Sequence, residues 1–292
     1  MPLDPDRVLK PVKKLRKLID KMSGQPRPGK VHALRTNTRR FEAMFGALAL
    51  DQYGFKKSVL KDLSRLRKRA GKVRDMDVLL GYASTVHVKG EDECLVQLLE
   101  GLGRRRRKRA KSLSAEAKRL RPELRKSLDR TPAELNEFIR HGNAEHIAAN
   151  AAGTAVKLAS DLAAPRRLGR DTLHPYRLKV KELQNVLKLT DGGSNGEFVN
   201  ELGEVKDAIG EWHDWEELLP IARRMLDHGA RCKLLSEMKS IAGRKYDHAV
   251  ALTEALRKRH LKPARPRRKR SAAAPSKVPT QPVLEATASL AG

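Results

Sequence analysis

Residues 31–48 read VHALRTNTRRFEAMFGAL, with Val31, Leu34, Thr38, Phe41, Phe45 and Leu48 at the three-and-four spacing that gathers them on one side of an α-helix. Similar periodic stretches run along the chain. They are separated by breakers at Gly24-Gln25-Pro26-Arg27-Pro28-Gly29, Gly54, Gly81, Pro122, Pro132, Pro165 and Gly192-Gly193-Ser194-Asn195-Gly196. No segment alternates apolar and polar residues as a half-buried strand would. Only 4% of the 292 residues are aromatic and 33% are charged, with Leu, Ala, Lys, Arg and Glu prominent. That composition favours helices, and the expected fold class is all-α.

Sliding the chain against itself exposes an internal repeat of about 140 residues. Val31-His32-Ala33-Leu34-Arg35 aligns with Leu173-His174-Pro175-Tyr176-Arg177 at an offset of 142. Leu66-Arg67 through Gly71 to Arg74-Asp75 aligns with Val205-Lys206 through Gly210 to His213-Asp214 at 139, and Gly103-Arg104-Arg105 with Gly243-Arg244-Lys245 at 140. Small shifts between ordered blocks are what changes in loop length produce. The reading is two copies of one helical unit, with helices expected at 5–22, 30–50, 56–82 and 91–121, then 143–162, 171–190, 197–228 and 231–260. Residues 122–142 would link the copies, and each copy should form a four-helix bundle.

The net charge is +27, from 62 Lys and Arg against 35 Asp and Glu, far more than solubility requires. Residues 262–292, rich in Pro, Ala and basic residues without apolar periodicity, read as a disordered tail. They hold seven of the Lys and Arg and one Glu, which leaves +21 on residues 1–261. The folded part should therefore meet a polyanion. Cys94 and Cys232 lie far apart with no metal-ligand spacing, so neither a disulfide framework nor a zinc site is expected; they read as small buried hydrophobes. The first 20 residues lack the apolar core of a signal peptide, and no 18-residue apolar run occurs. A soluble, cytoplasmic protein without membrane attachment is the expectation.

Basic residues follow the apolar positions by one. His32, Arg35 and Arg39 succeed Val31, Leu34 and Thr38; His174, Arg177 and Lys181 succeed Leu173, Tyr176 and Val180. In the next helices, Arg67, Gly71 and Arg74 stand beside Leu66, Ala70 and Val73, and Lys206, Gly210 and His213 beside Val205, Ile209 and Trp212. Each set shares a helical face next to the core stripe. The glycine removes a side chain where a helix or a phosphate approaches. Aligned like charges repel, and a bound polyanion would relieve them. Arg40, and the recurring pairs Arg104-Arg105 and Arg244-Lys245, join the candidate binding residues as neighbours or rim.

The paired blocks VHALRTNTRR with KDLSRLRKRAGKVRDMDVL, and LHPYRLKVKEL with LGEVKDAIGEWHDWEEL, resemble the CHAD family, an α-helical domain named for its histidine, over roughly residues 5–260. The resemblance implies two four-helix bundles related by a pseudo-twofold axis and a basic cleft that binds inorganic polyphosphate. It places His32, Arg35, Arg39, Arg67, Arg74, His174, Arg177, Lys181 and Lys206 in that cleft. CHAD domains are often fused to a triphosphate-processing domain, for which this chain has no room, so no catalysis, cofactor or resident metal is expected. Polyphosphate granules are the implied location.

Two other readings compete. Trp212-His213-Asp214 contains the His-Asp pair used by metal-dependent phosphohydrolases, but the equivalent pair in the other copy is Arg74-Asp75, and arginine is no ligand. Asp75, Asp77, Asp214 and Glu216 are read instead as carboxylates that orient cations. Nucleic acid is the runner-up ligand; sparse aromatics argue against a stacking platform, while the basic tail could hold DNA weakly through charge alone.

Overall fold

A computed structural model describes residues 5–22, 24–47, 57–140, 144–165, 167–190, 196–227 and 231–261. Among them the regular structure is helical: α1 (Pro5–Asp20), α2 (Pro28–Ala47), α3 (Lys57–Ala83), α4 (Asp92–Arg140), α5 (Ala144–Ala163), α6 (Arg170–Thr190), α7 (Gly196–Met225) and α8 (Lys233–His260). The all-α expectation holds. The proposed tail, 262–292, lies outside the described residues.

The stripe read in residues 31–48 is a core stripe from Val31 to Phe45, and Leu48 lies outside the described residues. Val31 and Leu34 are fully buried, Phe41 nearly so, and Thr38 is hidden with its hydroxyl donating to the Leu34 carbonyl at 2.9 Å. In the first half α1 packs on α2 and α4, and α3 on α2 and α4; in the second α5 packs on α6, α6 on α7 and α7 on α8.

The expected break at 122–142 does not interrupt the helix, because α4 continues through Pro122 and Pro132 to Arg140. An interior proline costs a helix about 3 kcal/mol. Against that, Leu120, Leu124, Leu128 and Leu135 are all buried in the core shared with Leu9, Val12, Leu15 and Ile19 of α1. At about 1.5–3 kcal/mol for each buried leucine, the stripe offsets both prolines.

A second difference concerns the core. One cluster fills α1–α4 and another α5–α8, but a third belongs to both halves. It joins Met76 and Leu79 of α3, Leu98 and Leu102 of α4, Trp215 and Leu218 of α7, and Leu235 and Met238 of α8. The reason lies in length. Helices α3, α4, α7 and α8 have 27, 49, 30 and 28 residues, whereas the other four have 16 to 21. Their surplus apolar turns bury against one another, and Tyr82 of α3 stacks on Trp215 of α7 with ring centroids 5.3 Å apart. This shared core fixes α3 against α7, and with them α2 and α6.

Candidate functional site

On the α2–α3 side, burial of Val31, Leu34 and Phe41 sets the helix phase and leaves Arg35 and Arg39, one turn apart, half-buried at the edge of the stripe. The Arg35 Nε lies 3.7 Å from where a Cβ on Gly71 would stand, so its guanidinium rests over the glycine gap in α3. Within the described residues neither Arg35, Arg39 nor Arg74 makes an ion pair or a side-chain hydrogen bond. Arg67 differs. Its Nε is 2.8 Å from a Glu42 carboxylate oxygen, and its terminal nitrogen donates to the Ser64 hydroxyl at 3.3 Å.

The α6–α7 side repeats the device more tightly. Arg177 lies flat on Gly210, where an added Cβ would be 2.5 Å from its terminal nitrogen, and its Nε donates to the Lys206 carbonyl at 3.0 Å. What fills the space left by the glycine is therefore the arginine of the adjoining helix. The His174 ring lies tilted against His213 with ring centroids 4.1 Å apart, which brings the two recognised blocks of this half together. Lys181, one turn beyond Arg177, is half-buried. The Lys206 ammonium is held by Asp207 at 3.1 Å.

The two sides share one electrostatic field. Burial lowers the Arg35 pKa; Asp75 opposes this, while Arg177, Arg67 and Arg74 push further down. Arg39 is pushed down to about 10, first by burial and then by Arg35, Arg67 and Arg177. It still carries its proton at neutral pH. Residues from α2, α3 and α6 thus crowd positive charge into one region, with Asp75 and Glu42 opposing it. Burial raises Asp214 to about 6 against the pull of Arg177, Arg74 and Arg35, and desolvation also raises Asp75. Both imidazoles are shifted down, His174 by burial and then Arg177, His213 by burial and then His174. Every one of these groups becomes more positive, or less negative, as pH falls.

The remaining candidates are not among the charges that act most strongly on Arg35 and Arg39. His32 is exposed, with Nε2 3.5 Å from the Thr36 hydroxyl, and Arg40 is exposed, turned about 100° around α2 from Arg39. Arg104 pairs with Glu100 on its own helix at 3.3 Å, and Arg105 is half-buried on α4. Arg244 pairs with Glu237 at 3.1 Å and Lys245 with Glu211 at 2.9 Å. Two other residues of the 104–109 run reach α3 instead. Arg106 bonds to Asp77 and to the Pro26 carbonyl, and Arg109 donates to the Lys72 carbonyl while lying in the field of Asp75. Their phase was readable, since Arg106 follows the core residue Leu102 by four and Arg109 precedes the core residue Ala110.

A groove of about 610 Å³ adjoins the cleft between α7, α8 and Tyr82. Arg177 forms one wall, but Glu204, Asp207, Glu211 and Asp214 line much of the rest. Those carboxylates repel an anion, so the acidic groove bounds the cationic track. As for the His213-Asp214 pair, His213 faces His174, and Asp214 lies in the field of the arginines.

The fold and site define an all-helical protein in which arginines of α2, α3 and α6 lie within one another's field. The CHAD domain model matches residues 8–223, and the chain belongs to the CHAD family. Its structure is similar to the crystal structure of the CHAD domain from the plant Ricinus communis, with a TM-score of 0.65 and 16% identity, covering 87% of this chain and 89% of that one. At that identity the likeness concerns the fold. No curated protein matches the chain by sequence. No described helix is long and apolar enough to cross a membrane.

Proposed function

We propose that the chain binds inorganic polyphosphate, without chemistry of its own, in the cleft between α2–α3 and α6–α7. The observation that carries this reading is the convergence of Arg35 and Arg39 with Arg177, half-buried and mutually repulsive, the first two without an ion pair to any carboxylate among the described residues. A chain of phosphates supplies closely spaced negative oxygens that accept charge-assisted hydrogen bonds from guanidinium groups. Binding displaces counterions from ligand and cleft, so affinity falls steeply with salt. The matched arginine-on-glycine seats of the two sides support the reading of two copies of one unit.

Nucleic acid fits less well. Phe41, Trp212 and Trp215 are buried and Tyr82 is stacked on Trp215, so these rings offer bases no platform. The working location that follows is the cytoplasm, at polyphosphate granules. The test titrates the full chain, and a chain lacking residues 262–292, with long-chain polyphosphate and with duplex and single-stranded DNA at matched phosphate concentration and two salt concentrations. Tighter binding of polyphosphate by both chains supports the cleft. Equal or tighter DNA binding that vanishes with the tail removes the proposal.

A further inference from the structure

The two cysteines, 138 residues apart in sequence, meet in the shared core. Cys94 lies in the first turn of α4, and Cys232 is the N-cap of α8. Glu91, just before α4, completes a group whose ligand atoms all lie within 4.8 Å of one another. We propose that Glu91, Cys94 and Cys232 form a site for a zinc-class divalent cation that bolts the start of α4 to the start of α8.

Geometry is the first support. With Zn–S near 2.3 Å and Zn–O near 2.1 Å, a tetrahedral ion sets sulfur–oxygen edges of about 3.6 Å and a sulfur–sulfur edge of about 3.8 Å. The Cys232 thiol donates a hydrogen bond to Glu91 Oε2 at 3.6 Å, so the sulfur and the oxygen already stand at the length of that edge. The second support is the surrounding hydrogen bonds. Glu91 Oε1 accepts the Lys233 backbone N–H at 3.2 Å, leaving Oε2 directed at the cysteine. The Leu235 N–H donates to Cys232 Sγ at 3.4 Å. Backbone donors that orient ligands in this way are what a bound metal requires around it.

Donor chemistry selects the ion. Two thiolates and one carboxylate suit zinc or its spectroscopic surrogate cobalt(II), and exclude magnesium and calcium, which take oxygen ligands. Uptake releases both thiol protons to solvent. Two thiols and a carboxylate carry −1; two thiolates, a carboxylate and a divalent ion also carry −1, so the core gains no net charge. The sulfurs are buried while Glu91 is half-exposed, which places the carboxylate at the mouth and leaves water the fourth position. Because α4 packs on α3 and α8 on α7, the ion would hold the spacing of the cleft itself.

The test adds cobalt(II) to the reduced full-length protein. The expected result is one equivalent bound with thiolate-to-cobalt charge-transfer absorption, bleached by zinc. Zinc should also protect both thiols of the unmutated chain from a thiol reagent, a readout that needs no variant. Glu91→Gln should weaken binding by at least about tenfold while keeping the absorption, and Cys94→Ser with Cys232→Ser should abolish it in a chain of unchanged helicity. Absence of the absorption at saturating cobalt, zinc that leaves the thiols reactive, or a Cys94–Cys232 disulfide in protein isolated without reductant would each overturn the proposal.

Discussion

Replacing Gly210 by alanine separates the arginine seat from the fold that carries it. The new Cβ would stand 2.5 Å from the terminal nitrogen of Arg177, 2.9 Å from Nε and 3.0 Å from Cζ, where about 3.5 Å is the normal limit of approach. The guanidinium must retreat by about 1 Å and give up its bond to the Lys206 carbonyl. That loss costs about 1 kcal/mol. Alanine returns about the same through helix propensity, so urea denaturation should show stability close to the parent. Polyphosphate affinity should respond differently. A displaced guanidinium forfeits a charge-assisted hydrogen bond worth about 1.5–3 kcal/mol, or about 10- to 150-fold in the dissociation constant. Gly71→Ala is the control, because its Cβ meets Arg35 Nε at an ordinary 3.7 Å. That variant should gain up to about 1 kcal/mol of stability and bind as the parent does. Parental binding by Gly210→Ala, or equal weakening by both variants, would refute the seat.

Glu42→Gln frees Arg67 from its carboxylate; polyphosphate should bind several-fold tighter and the salt slope should steepen by about 0.7, the value for one added contact to a single strand, whereas unchanged binding would mean that Arg67 faces away from the ligand. Acidification should strengthen binding. Asp214 is anionic above about pH 6 and neutral below it, and His174 and His213 gain charge only below the ordinary histidine range, so titrations between pH 8 and pH 5 should show rising affinity, flattened by Asp214→Asn. Affinity that falls over this range would contradict the assignment. Leu124→Ala, in the α4 segment beyond Pro122, should cost about 2–5 kcal/mol in chemical denaturation, because the leucine is 1% exposed; a negligible cost would mean that the segment behaves as a linker.

The helical periods and the phase of the basic faces were legible because each helix writes its core stripe into its own sequence. Val31, Leu34 and Phe41 are buried as the spacing required, and Arg35 and Arg39 stand at its margin. The glycines were legible as places of close approach, though the group that approaches is Arg35 or Arg177. Local reading failed where distant segments decide. Pro122 and Pro132 look like breaks until α1 covers the leucines around them. Nothing near Arg67 announces that Glu42, 25 residues earlier, will occupy it. The core shared by α3, α4, α7 and α8, and the meeting of Cys94 with Cys232, depend on how the halves dock.

If Arg35, Arg39 and Arg177 contact phosphates directly, the salt dependence of polyphosphate binding should show it. The slope of log affinity against log salt should be measured for the parent and for a chain carrying Arg35→Gln, Arg39→Gln and Arg177→Gln. At about 0.7 per contact, the slope should become shallower by about 2, with affinity lost most at low salt. An unchanged slope would place the phosphates elsewhere and contradict the cleft as the binding site.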